Sequence, residues 1–252
     1  MTTRVDLFDI DGTILSTPVS EEGERLRYLE TIREVVGKEP HVVPSRFAGM
    51  VDPQICKILL TEVGLPQEEI DRAIPEVLTH IGERYREAKK KLALNPGVEP
   101  MLKILTASTG VVTGVLTGNL KAVAEEKLRI TGIRSYFSVL FCADNYFDRT
   151  GLVKDAVQTC VAKYRLKKNN DVVIVGDTPR DIEAANASHA TSVGIASGIY
   201  SMNQLHAAKA AHVYANLEPT PALLTALGVK PQHRNATVSH SATASRRRDE
   251  RT

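Results

Sequence analysis

The sequence predicts an α/β protein, a doubly wound parallel sheet into which an all-helical subdomain is inserted early. Three observations carry that prediction. Short runs at residues 5–9, 111–117, 138–142, 171–176 and 191–196 are rich in Val, Leu, Ile and Phe and alternate with helical patterns, as strands buried on both faces do. About a hundred residues separate the first run from the second, and that gap is filled with helical periodicity. Polar clusters follow the first, second and fourth runs, which is where an open parallel sheet binds its ligands.

Taken in order, the first strand contains Asp6, a charge expected to lie at an edge or between strands near the N-terminal end of the sheet. Leu26, Leu29, Ile32 and Val36 then recur at helical spacing after Ser20, a candidate N-cap. Asp52-Pro53 opens a second helix with an N-cap and a proline at the first position, and Gly64 ends it. Ile70, Ile74, Val77, Ile81 and Tyr85 mark a third, which Pro75 is expected to kink or divide. These helices form a cap over residues 17–92, against a core of residues 1–16 and 93–228. Lys89-Lys90-Lys91 reads as the solvated end of a helix, and Asn95-Pro96-Gly97 as the hinge back to the sheet. A weaker sixth strand is expected at His212-Val213-Tyr214. Periodicity ends at Gly228, and residues 229–252 read as a disordered basic tail.

Composition narrows the function classes. With 42% hydrophobic and 25% charged residues, the chain reads as an ordinary soluble globular protein. The formal charge of +2 comes from the tail, where Lys230, Arg234, Arg246, Arg247, Arg248 and Arg251 outnumber Asp249 and Glu250. The fold itself is therefore slightly acidic, and no nucleic-acid partner is expected. Cys56, Cys142 and Cys160 are odd in number and far apart, as reduced core thiols are. No segment reaches the roughly 18 apolar residues of a membrane span. Arg4, Asp6, Asp9 and Asp11 interrupt any apolar leader. The expectation is a cytoplasmic protein, a monomer or homodimer, with no membrane association.

The chemistry lies in the three clusters. Leu7-Phe8-Asp9-Ile10-Asp11-Gly12-Thr13 puts two carboxylates one residue apart at the exit of a buried strand. Thr117-Gly118-Asn119 follows the second strand, and Gly176-Asp177-Thr178-Pro179-Arg180-Asp181 the fourth. Each alone is an ordinary turn or helix start. In this order, at successive strand ends, they build one site.

The combination resembles the haloacid dehalogenase-like hydrolase superfamily, from residue 5 to about 200. The insertion point is similar to that of members with a helical cap between the first and second motifs, such as phosphoglycolate phosphatase and β-phosphoglucomutase. The resemblance implies a Rossmann-like core and a Mg²⁺-dependent phosphatase acting on a small phosphorylated metabolite. It makes Asp9 the nucleophile that forms an aspartyl-phosphate. Asp9, the main-chain carbonyl of Asp11, Asp177 and Asp181 would be the metal ligands, and the Asp11 side chain the acid that protonates the leaving alkoxide and then the base that activates water. Thr117, with the amides of Gly118 and Asn119, would hold the phosphoryl oxygens. A cation is also needed: Arg149 is favoured, in the Asp-Arg-x-x-Leu pattern of one subset, and Lys154 is the fallback.

Thr178 is expected to N-cap the next helix and orient Asp177, Arg180 to face solvent, and His189 to be a loop residue. Within the cap, Arg46, Phe47, Gly49 and Met50 would read the leaving group. Arg46 is either the partner of a substrate carboxylate or second phosphate, or a surface charge. A phosphomutase and a non-catalytic, anion-binding member are the alternative functions.

Overall fold

A computed structural model describes residues 4–16, 21–41, 44–87 and 91–229. Ser20, Lys89, Lys90 and the tail beyond Val229 lie outside the described residues. The elements run β1 (Arg4–Phe8), α1 (Glu21–Val36), α2 (Pro44–Phe47), α3 (Asp52–Glu62), α4 (Gln67–Glu87), α5 (Val98–Ala107), β2 (Val111–Leu116) and α6 (Lys121–Ile130). They continue with β3 (Val139–Phe141), α7 (Arg149–Tyr164), β4 (Val172–Gly176), α8 (Pro179–Ala187), β5 (Thr191–Ile195), α9 (Met202–Ala207), β6 (His212–Tyr214) and α10 (Pro221–Ala226).

All six expected strands form, in one parallel sheet of order β3-β2-β1-β4-β5-β6. β1 is central. Its Leu7 pairs with Gly114 of β2 on one side and Ile174 of β4 on the other, so these three strands end at one edge. Side chains alternate across the sheet: Val5 and Leu7 pack with Leu152, Val153 and Ala156 of α7, while Phe8 packs with Met101 and Leu105 of α5 and Leu128 of α6. The helices α1, α3 and α4 build a separate apolar cluster around Ile32, Leu59, Ile70 and Val77. Leu120 and Val123 of the α6 segment join that cluster, so these helices are seated on the helix that follows β2.

Of the two positions expected for Asp6, the structure gives the interstrand one, between β2 and β4, and not an edge. Asp6 is fully buried in the central strand with its carboxylate 3.9 Å from Arg4 Nε. Burial raises its carboxyl well above the ordinary range, against the opposing pull of Arg4. Asp52 does not cap its own helix either. Val51 is the N-cap of α3 without a side-chain bond, and Asp52 accepts instead from the Leu120 amide at 2.9 Å and the Tyr28 hydroxyl at 2.5 Å. Its carboxylate thus ties the start of α6 to the cap, a long-range use that local sequence does not disclose. Pro75 does not divide α4, which is continuous from Gln67 to Glu87. Pro75 and Asp71 are both exposed, so water can serve the carbonyl that the missing N–H leaves.

No helix among the described residues is long and apolar enough to cross a membrane. All three cysteines are free, and burial pushes the Cys142 and Cys160 thiols up to about 12, away from reactive thiolate.

Candidate active site

Asp9 is the first residue beyond β1, and its amide still bonds to Val175 O of β4 at 2.8 Å. Thr117 and Asp177 occupy the same position after β2 and β4. The parallel register therefore delivers all three clusters to the carboxyl edge of the sheet. Carboxylate oxygens of Asp9, Asp177 and Asp181 lie within 4.8 Å of one another. An oxygen-only donor set of this kind could hold a hard divalent cation. Asp9 is 8% exposed, Asp177 4% and Asp181 0%.

Each member is held by neighbours that the sequence supplies locally. Asp181 is the third residue of α8 and completes a capping box with Thr178. Its Oδ2 accepts from the Thr178 amide at 3.1 Å and from Thr178 Oγ1 at 2.8 Å. Thr178 thus orients Asp181, not Asp177 as expected. Asp177 Oδ1 accepts from Thr13 Oγ1 at 3.0 Å. Gly12, at φ +81°, lies so close that a Cβ there would stand 2.2 Å from Asp177 Oδ2, so the glycine of the Asp-Gly-Thr turn is sterically required.

Arg149, the first residue of α7, is 6% exposed. Its Nη2 donates to Asp9 Oδ1 at 3.0 Å, Asp181 Oδ1 at 2.5 Å and Leu116 O at 3.3 Å. Burial works against its charge, but the carboxylates of Asp181 and Asp9 outweigh burial and keep the guanidinium protonated. Lys154, five residues on, is exposed on the same helix. Burial raises Asp9 to about 7; Arg149 opposes this, and the Asp181 and Asp11 charges add to it. Asp177 is likewise raised well above the carboxylate range by burial, then by Asp181 and Asp9.

These shifts fix a pH dependence. A carboxyl raised from 3.8 to about 7 keeps in the native state a proton that the unfolded chain has already lost. Protein held in chelator is therefore expected to lose stability as pH rises from about 4 to about 7. Thermal melts across that window check this, and melting temperatures that climb throughout it would contradict the assignment.

Asp11 points elsewhere. Its two oxygens each lie 2.6 Å from Lys127 Nζ, and Oδ2 also accepts from Asn119 Nδ2 at 2.7 Å. Lys127 is a site residue that the sequence reading missed. The available signal was its place in the buried stripe Val123, Ala124, Lys127, Leu128 of α6. Thr117 is fully buried, and its Oγ1 accepts from the Asn119 amide at 3.3 Å and side chain at 2.9 Å. Gly118 meets the cap so closely that a Cβ would stand 2.3 Å from Met50 O. Arg180 does not face solvent: it is partly buried and its Nη1 donates to Ala48 O at 2.5 Å. Arg46 is paired with Glu62 and lies over the Phe47 ring, partners within the cap, with 48% of its side chain exposed. His189 is a turn residue after α8 with φ 56°.

The fold is shared with solved structures of low sequence identity. A Lactobacillus plantarum protein assigned as a phosphoglycolate phosphatase superposes with TM-score 0.63 at 19% identity, covering 90% of this chain and 100% of its own. A Thermotoga maritima protein assigned as a β-phosphoglucomutase gives 0.57 at 18%, covering 88% and 99%. CbbY of Rhodobacter sphaeroides, solved in complex with phosphate, gives 0.64 at 17%, covering 86% and 96%. No curated protein sequence matches the chain significantly. The family profile of the haloacid dehalogenase-like hydrolases matches residues 4–189, a span that contains every motif at the sheet's carboxyl edge, and the chain belongs to that family.

Proposed function

We propose that the chain is a Mg²⁺-dependent phosphatase that hydrolyses a small organic phosphomonoester through an aspartyl-phosphate on Asp9. The observation that carries this reading is the unlike setting of two carboxylates one residue apart. Asp9 is buried against a guanidinium and two further carboxylates, while the Asp11 side chain is 45% exposed beside an ammonium and an amide. A buried, charge-compensated carboxylate suits attack on phosphorus, and a more accessible one suits proton transfer.

Asp9, Asp177, Asp181 and the main-chain carbonyl of Asp11 would hold Mg²⁺. The donor set fits, because three carboxylates with oxygens within 4.8 Å of one another make an oxygen-only site, and their mutual repulsion, which adds to the burial that raises Asp9 and Asp177, is what a cation relieves. Bound Mg²⁺ supplies charge that neutralises the phosphoryl oxygens and lets an anionic nucleophile approach. Asp9 attacks phosphorus, and the bond to the ester oxygen breaks. Arg149 with Thr117, Gly118 and Asn119 holds the phosphoryl oxygens. Asp11 gives its proton to the departing alkoxide, then takes one from the water that attacks the acyl-phosphate phosphorus. Inorganic phosphate leaves, and Asp9 is regenerated. The cap's contact with Gly118 and Thr178 closes over the loops that hold the phosphoryl group, which favours small substrates over proteins. The neighbours named as a phosphoglycolate phosphatase and as a phosphate complex support the same chemistry.

With Mg²⁺, the purified chain is expected to release inorganic phosphate from members of a small-phosphomonoester panel, and chelator is expected to abolish release. Isomerisation of a sugar phosphate without net phosphate release would favour a mutase. Silence across a broad panel would overturn the reading.

A further inference from the structure

We infer that Lys127 is a positioning residue for Asp11, fixing the proton-transfer carboxyl from the phosphate-loop helix and linking its place to the cap. The inference rests on the phosphatase reading above. Lys127 is 1% exposed among the apolar residues of α6. Its Nζ lies 2.6 Å from both Asp11 oxygens and 3.1 Å from Asn119 Oδ1, and Asn119 Nδ2 returns a 2.7 Å bond to Asp11 Oδ2. The result is a closed ring of three side chains, extended by Asn119 Nδ2 to Thr117 Oγ1 at 2.9 Å.

The two buried cations of the site hold different carboxylates. Arg149 serves Asp9 and Asp181, whereas Lys127 serves Asp11 and Asn119. Lys127 therefore acts on the proton-transfer group and leaves the attacking carboxylate to Arg149. Packing alone does not ask for an ammonium here, since a leucine would fill this stripe without the desolvation that a buried charge pays. The ring of Tyr85, from α4 of the cap, lies 5.5 Å from Nζ on a cation–π contact. The same ammonium thus touches the acid, the phosphate loop and the cap.

The test compares Lys127→Met with the parent full-length chain, in Mg²⁺, on p-nitrophenyl phosphate and on an alkyl phosphate. Nitrophenolate departs without a proton and an alkoxide does not, so a misplaced Asp11 is felt mainly with the alkyl ester. The expected kcat/KM loss is about tenfold or more greater on the alkyl than on the aryl substrate. Asp11→Asn is expected to show the same bias, and the double variant to lose nothing further. Equal losses on both substrates, a further loss in the double variant, or a gain in turnover would each overturn the inference. Should the methionine variant fail to fold, Lys127→Gln is read with the same two esters. Absence of parent turnover on both esters and across the wider phosphomonoester panel would remove the phosphatase reading and this inference together, whereas parent turnover with unbiased losses removes this inference alone.

Discussion

Asp9→Asn is expected to lower kcat for phosphate release by at least about a thousandfold while the chain stays folded. The amide matches the carboxylate in shape but offers no anionic oxygen to attack phosphorus. Its carbonyl can still accept from Arg149 Nη2, which lies 3.0 Å from Asp9 Oδ1. Burial raises Asp9 to about 7, so a neutral side chain is at least as well tolerated there as an ionised one. Phosphate release measured beside thermal unfolding separates the two effects. Retained turnover would remove Asp9 from the nucleophile's role.

Arg149→Ala is expected to cost both activity and stability. Removing the guanidinium withdraws hydrogen bonds from Asp9 and Asp181 and leaves three buried carboxyl groups within 4.8 Å of one another without their cation. Breaking a buried charge pair from one side costs about 3–5 kcal/mol. Loss of a preorganised positive group from a site of developing negative charge costs about 100- to 1000-fold in kcat. Lys154→Ala is the internal control. Exposed on the same helix, it is expected to shift stability by no more than about 0.5 kcal/mol and to leave turnover unchanged. Denaturant melts and kcat for the two variants decide the matter, and a more damaging Lys154 substitution would mean that the cation had been misassigned.

The inner strands were legible because they are largely buried on both faces and read as short, mostly apolar runs, β4 most clearly, whereas β6 at His212–Tyr214 lies at the sheet edge with His212 exposed and carries a weaker signal. Their order was not, since β1 reaches β2 across the whole helical insertion, and reaches β4 across that insertion together with β2, α6, β3 and α7. Residue 6 shows the same limit: a charge inside an apolar run suggests an edge or an interstrand position, and only pairing on both sides selects the second and buries Asp6. The carboxylates of the site were legible because turn chemistry places Asp9, Asp11, Asp177 and Asp181 at strand ends. Their supporting contacts are long-range and were not. Thr13 bonds to Asp177 over 164 residues, and Asp52 reaches Leu120 over 68. Arg149 and Lys154 could be ranked only by resemblance, because neighbouring positions on one helix share their local pattern. Lys127 was invisible for a different reason: a lone lysine beside Glu125 and Glu126 reads as solvated surface, and only the stripe it interrupts marks it as buried.

The central claim is that phosphorus passes through a covalent bond to Asp9, and trapping that bond tests it most directly. The full-length chain turning over a small phosphomonoester with Mg²⁺ is quenched in acid, digested and mapped by mass spectrometry. The account predicts a phosphoryl group on Asp9, removable by hydroxylamine and absent from Asp9→Asn and from chelator-treated protein. Steady release of phosphate with the modification on another residue, or with rapid-quench time points that never show one, would contradict it.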